Sequence, residues 1–225
     1  MAVFASGFGG YAMLLKWIMC RVSEQLEVPF SASQSKWRQL SKVPGFLGQF
    51  GGWNLKSNEE ACIVAMWQDE NHYKQFMRQQ HDKIVRHNDQ MNTYESIDVS
   101  LLTPTYDMPG CRESMAASLQ EACALRIADC FVKPEREAHF VEMQQEIWIP
   151  SMCKAEGMLA GVFSKVEHEP SRYMVTTLWK SMEAHEEYAE KMLPELRKNS
   201  KVSEDLQQIV GGIVALNNDW LVLPN

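Results

Sequence analysis

The sequence predicts an α+β fold: two β-α-β-β-α-β units in tandem, packed against each other as one eight-stranded antiparallel barrel. Three observations predict it. Segments 110–112 residues apart match in sequence. Each copy alternates short apolar runs with amphipathic, helix-like stretches. A unit of this kind covers one face of its sheet with helices and leaves the other bare, and the second copy can bury that bare face.

The repeat is visible residue by residue. In "WIMCRVSEQLEVPF" and "IADCFVKPEREAHF", Cys20 matches Cys130, Val22 matches Val132 and Phe30 matches Phe140 at an offset of 110, which Gln34 and Gln144 keep. From "GFLG" (45–48) and "GMLA" (157–160) onward the offset is 112. It pairs Trp67 with Trp179, Phe76 with Tyr188, and "SIDVSLLTP" (96–104) with "QIVGGIVAL" (208–216).

The elements follow in the same order in both copies. An apolar strand opens each unit, at Trp17–Val22 and Ile127–Val132. An amphipathic helix comes next, with Phe30, Trp37 and Leu40 on its apolar face in the first unit. "VPG" stops that helix. The stretch "GFLGQFGGW" is the second strand, and "KSNEE" or "EHEPS" turns it into a third, Cys62–Trp67 or Met174–Trp179. A second helix begins with "QDEN" or "KSME", acidic residues that suit the helix dipole. A fourth strand near 97–102 or 209–216 closes the unit. The expected division is an extension at 1–12, a ferredoxin-like domain at 13–102, a linker at 103–123 carrying "TPTYDMPG", and a second ferredoxin-like domain at 124–225.

Composition narrows the function classes. The net charge of −7, with no run of five basic residues, argues against nucleic acid as a partner. No stretch of 18 apolar residues suggests a membrane span, and the N-terminus lacks the basic start of a secretory signal. Six cysteines without a C-x-x-C pair read as free thiols of a reduced, cytoplasmic protein with no structural metal. Neither a phosphate-binding loop nor a Ser/His/Asp triad is present, since "VPGFLGQFGGW" lacks the Lys-Ser/Thr of such a loop.

The βαββαβ unit, "PGF" before the second strand, and a Trp ending the third strand before an acidic helix ("MWQDENHYKQF", "LWKSMEAHEEY") resemble the dimeric α/β barrel proteins, most closely those of antibiotic-biosynthesis-monooxygenase type. The first copy, with "QSKWRQL", "GFLGQFGGW" and "HD", is similar to an uncharacterised bacterial domain family of that superfamily. The resemblance implies an intramolecular barrel of two copies, self-contained or further paired as a homodimer. It implies a ligand cavity inside each half, between sheet and helices. It also implies a choice among cofactor-independent oxygenases of aromatic molecules, quinol oxygenases, haem-degrading enzymes, peroxidases and stress-related proteins. The haem-degrading pattern is incomplete: Asn71 stands where that pattern has Trp, ten residues before His81, and "KWIMCRV" has no Asn.

The candidate residues lie in the first copy. His81 is the candidate base, because imidazole titrates near neutrality and can take a phenolic proton. Adjacent helix residues point about 100° apart, so Asp82 is not expected to orient it. Gln49, Gly51 and Trp53 share one strand face, which either meets a ligand or lets a helix pack on the glycine. Gln34 and Trp37, one turn apart, add an amide and a ring that serve either a ligand wall or the core. A buried Gln34 needs a partner, in the ligand or in Gln49. Trp67 joins this wall, although its recurrence as Trp179 also suits a structural role. The other five histidines are expected at the surface. The functional expectation is a cofactor-independent monooxygenase-like protein that acts on an aromatic or quinone-like small molecule, with no cofactor. The alternatives are a non-catalytic module for an apolar ligand or haem, and a stress-related structural protein.

Overall fold

In a computed structural model, which describes residues 13–57 and 59–225, the expected barrel is formed. The extension read at 1–12 lies outside the described residues. The strands of the first half are β1 (Leu14–Arg21), β2 (Phe46–Asn54), β3 (Glu60–Trp67) and β4 (Ser96–Pro109). Those of the second half are β5 (Ala124–Val132), β6 (Met158–Val166), β7 (Arg172–Trp179) and β8 (Leu206–Leu216). All neighbours are antiparallel, and the closed order is β1-β3-β2-β8-β5-β7-β6-β4.

Inside the barrel the bare sheet faces meet. Leu15, Trp17, Val64 and Met66 of the first half pack with Leu125, Val162, Leu178 and Val214 of the second. Side chains from eight strands suffice to fill such an interior. The opposite faces carry helices. In the first half these are α1 (Glu27–Gln34), continued as a 3-10 stretch over Ser35–Lys42, then α2 (Glu70–Phe76), a π turn (Met77–His81) and α3 (Asp82–His87). Asp69 caps α2 by accepting from the His72 amide at 2.9 Å.

Two seams join the halves, and they are unequal. β4 pairs with β6 from Leu102 to Pro109, with a bulge between Pro104 and Tyr106. The expected strand end at 102 therefore falls seven residues short. The rest of the span read as linker also folds: after α4 (Met115–Ser118), Met115, Leu119 and Ala122 close off the barrel interior. Burial against both halves, which local sequence does not report, explains the difference. The other seam is short, with β2 meeting β8 only from Gly52 to Asn54. A Cβ on Gly52 would lie 1.8 Å from the Ala215 carbonyl oxygen, so this contact requires glycine. The C-terminal segment extends the seam, with Gln49 and Val222 exchanging two backbone hydrogen bonds of 2.9 Å.

The second half carries α5 (Glu137–Met143), a π turn (Gln144–Trp148), α6 (Ile149–Met152), α7 (Met182–Lys191), α8 (Leu193–Ser200) and α9 (Val202–Asp205) on its outer face. Among the described residues no helix is long and apolar enough to cross a membrane.

Candidate functional site

Strand register builds the floor of a cavity in the first half. Lys16 on β1 pairs with Ala65 on β3, and Ala65 pairs with Gln49 on β2, so the three residues form one row across the sheet. They face the helices, because Leu15 and Trp17 on either side of Lys16 point into the barrel. Ala65 is small, and the space above it stays open. The helix layer supplies the walls: Gln34 from the end of α1, Trp37 from the 3-10 stretch, Phe76 from α2 and His81 from the π turn. Trp67 ends β3 beside them. The cavity measures about 260 Å³ and opens past Met91, Tyr94 and Ile97.

Of the residues expected from sequence, the structure brings Gln34, Trp37, Gln49, Trp67 and His81 together. Trp53 does not join them. It sits four residues farther along β2, about 13 Å at ordinary strand rise. There it packs on Phe30 and Trp220, with ring centroids 5.8 and 5.3 Å away. Period two placed it on the correct face but could not give its position along the strand relative to the C-terminal Trp220. Neither a helix nor an open cavity explains Gly51, since a Cβ there would come within 2.4 Å of the Cys62 carbonyl oxygen on β3.

His81 is half-buried between two rings. Trp37 lies 6.0 Å away and Phe76 presents an edge at 5.8 Å. Against expectation, Asp82 does orient it: the imidazole Nδ1 lies 3.0 Å from Asp82 Oδ1. The backbone at both residues is ordinary right-handed helix, so the neighbouring Cβ directions still diverge; rotation about the side-chain bonds closes that gap. An ionised carboxylate can only accept, so Nδ1–H donates and Nε2 remains as the basic nitrogen. Burial pulls the imidazole below its ordinary range; the Asp82 hydrogen bond opposes this, and the Lys16 charge adds to the lowering. The same hydrogen bond lowers the pKa of the Asp82 carboxyl. His81 is thus a neutral imidazole at neutral pH.

The polar groups divide into satisfied and unsatisfied sets. Trp37 Nε1 donates to Gln90 Oε1 at 2.8 Å. Gln34 Nε2, Gln49 Nε2 and Trp67 Nε1 are buried and have no partner among the described residues, so of the two partners considered for Gln34, a ligand or Gln49, the Gln49 bond is not formed. Lys16 is 8% exposed, and its ammonium lies 5.8 Å from the Tyr73 ring centroid. Loss of hydration pushes its pKa down from 10.5 to about 8.

Lys16 and Gln90 were missed from sequence. Lys16 carried a signal, being one charge inside the apolar run "LLKWIMC" with the parity of Cys20. Gln90 carried none, because it follows α3 after Asp89, whose φ of 52° turns the chain outside any periodic pattern. The surface expectation for the other histidines holds for His87 and His168 only. His72 lies under Gly45, His139 reaches buried Asp205 at 2.8 Å, and His185 packs edge-on against Trp179 at 5.4 Å. Their sequence neighbours are polar, but the contacts of His72 with Gly45 and of His139 with Asp205 are non-local.

A closed barrel of two ferredoxin-like units with a cavity between sheet and helices defines a dimeric α/β barrel protein. Residues 14–102 match the model of a family described as a domain of unknown function (DUF4937). The uncharacterized protein YdbC of Bacillus subtilis (strain 168) is 36% identical over 91 residues, which span 40% of this chain and 76% of that one. The chain belongs to this family, and its first half carries the match. A candidate monooxygenase from Fusobacterium nucleatum subsp. nucleatum has a similar fold, with a TM-score of 0.77 at 12% identity over 96% of each chain. Another from Lactobacillus acidophilus NCFM gives a TM-score of 0.72 at 12% identity, covering 94% of this chain and 96% of that one. These two likenesses extend over both halves and concern the fold.

Proposed function

We propose that the first-half cavity binds a flat aromatic or quinone-like molecule and that the protein is a cofactor-independent monooxygenase, with residues 13–102 as the working domain and 124–225 as its structural partner. One observation carries this reading: an Asp82-held, neutral His81 faces an aromatic-walled cavity of about 260 Å³ beside amides that have no partner among the described residues. The volume is near the lower end of ligand pockets and suits one or two rings. In the proposed reaction, His81 Nε2 takes the proton of a bound phenol. The phenolate is electron-rich enough to react directly with O₂. One oxygen atom replaces a ring hydrogen and becomes a carbonyl, and the other leaves as water, so that a phenol and O₂ give a quinone and H₂O. Trp37, Trp67 and Phe76 hold the ring, and Gln34 and Gln49 donate to its oxygens. The monooxygenase-like folds of the neighbours are consistent with this chemistry without selecting it.

The test is O₂ consumption with a panel of phenols and hydroquinones. Turnover that is lost in His81→Ala supports the enzyme. Ligand binding without turnover by any member of the panel leaves a non-catalytic binding module instead.

A further inference from the structure

The cavity contains a group that the base-and-wall reading does not use. Lys16 is buried on the floor, in one row with Ala65 and Gln49. Among the described residues no carboxylate lies within ion-pair distance of its ammonium. The acidic side chain nearest the cavity, Asp82, already holds His81, and its own side chain is 77% exposed. A buried cation without a counter-charge is costly, and an anion brought beside it offsets that cost.

Three further donors converge on the same wall. Gln34, Gln49 and Trp67 are 2%, 4% and 1% exposed, and each has a side-chain N–H group without a partner among the described residues. A purely apolar ligand would leave all of them unpaired, at a cost of about 1–3 kcal/mol each. The second half shows how such a donor is otherwise satisfied. Thr177 stands where the first half has Ala65, and it accepts from Trp179 Nε1 at 2.9 Å. Replacing that threonine by alanine in the first half both opens the floor and frees the Trp67 donor.

We infer that the ligand of this cavity is an aromatic carboxylate, its charged group paired with Lys16 and its oxygens accepting from Gln34, Gln49 and Trp67. The inference rests on the first-half cavity being a ligand site but not on oxygen chemistry there. Lys16 is then the residue that selects anions, and the aromatic side chains select flat rings.

The probes are 1-naphthoate and its neutral counterpart 1-naphthamide, titrated into the full chain at pH 7 by calorimetry and by quenching of tryptophan fluorescence. Naphthoate is expected to bind at least ten-fold more tightly than naphthamide. In Lys16→Met, naphthoate should lose that advantage while naphthamide binding stays within about three-fold, a margin well below 1.4 kcal/mol. Gln49→Leu should weaken both probes, because each presents a carbonyl-type oxygen. Circular dichroism and thermal unfolding establish that each variant is folded. Absence of naphthoate binding to the folded wild type, equal affinity for the two probes, or an undiminished preference in Lys16→Met would each overturn the inference. Neither probe carries a phenolic proton, so the result is independent of turnover. Anion-selective binding of naphthoate together with no O₂ uptake across the panel of phenols and hydroquinones retains this inference and sinks the oxygenase, and the reverse pattern does the opposite.

Discussion

The two halves share one backbone plan, yet one encloses about 260 Å³ and the other about 40 Å³. The equivalent positions differ in a consistent way. Lys16, Gln49, Ala65, Phe76, His81 and Gln90 of the first half correspond to Arg126, Gly161, Thr177, Tyr188, Leu193 and Val202 of the second. In the second half, leucine, a tyrosine under the Arg126 guanidinium and a threonine-bonded tryptophan fill the space. In the first, smaller or polar residues leave a cavity and donors facing it. The satisfied tryptophan also changes place: Trp37 has Gln90, whereas Trp148, opposite Val202, has no partner among the described residues. Duplication thus allowed one copy to maintain the barrel while the other kept open space, since the interior needs both sheets but a site needs only one.

The largest expected effect contrasts the halves at one position. His81→Ala should lower turnover by about 10²–10⁴-fold, the usual contribution of a general base, whereas Leu193→Ala should leave kcat within about two-fold. A comparable loss in both variants would mean that the asymmetry is not catalytic. The pH profile sharpens this. Because burial lowers the His81 pKa, the acid-side fall of kcat/KM should be centred below pH 6.5. A fall centred above 6.5 would contradict a desolvated base.

Next in size is stability. The drop of the Lys16 pKa from 10.5 to about 8 corresponds to about 3 kcal/mol. The folded state disfavours the proton, so this penalty is fully present below pH 8 and fades as pH rises towards 10.5. Lys16→Met should therefore raise the unfolding free energy at pH 7 by a similar amount, measured in urea, with a smaller gain at pH 10. Anion preference should likewise fade above pH 8. Cys20 on the same strand, Tyr73 and His81 with Asp82 from the helices, and Tyr94 at the rim are the titratable groups around this amine, and its pH response has to be read against theirs.

Ala65→Thr imports the second half's solution. It should bond the Trp67 indole, shrink the cavity and weaken naphthoate binding about ten-fold, while satisfying that buried donor raises the unfolding midpoint. Unchanged affinity would show that the floor above Ala65 is not the ligand's place. The smallest effect is expected from Gln90→Val, which removes the Trp37 partner and should cost about 1–2 kcal/mol in urea unfolding.

The sequence was most legible where its signals are local or periodic. Trp67 and Trp179 ended their strands as expected, and period two put Gln49 on the helix-facing side of β2. Legibility failed where contacts are long-range. Trp53 had the right parity but the wrong neighbours, because Trp220, far away in sequence, reached it first. Asp82 was set aside on the divergence of neighbouring Cβ directions, which rotation about the side-chain bonds overcomes. Residues 103–109 looked like linker until strand β6 supplied the missing edge.

By itself the sequence determined the fold: apolar periodicity and a near-constant repeat offset fix the strands, their order and the need for a second sheet, since burying one bare face against another is the only economical solution for two such units. Only the tertiary structure decided which half holds a cavity and which donors face it. Volume and hydrogen-bond satisfaction depend on side chains that meet across strands and helices, and no pattern along the chain records whether the space between them has been filled.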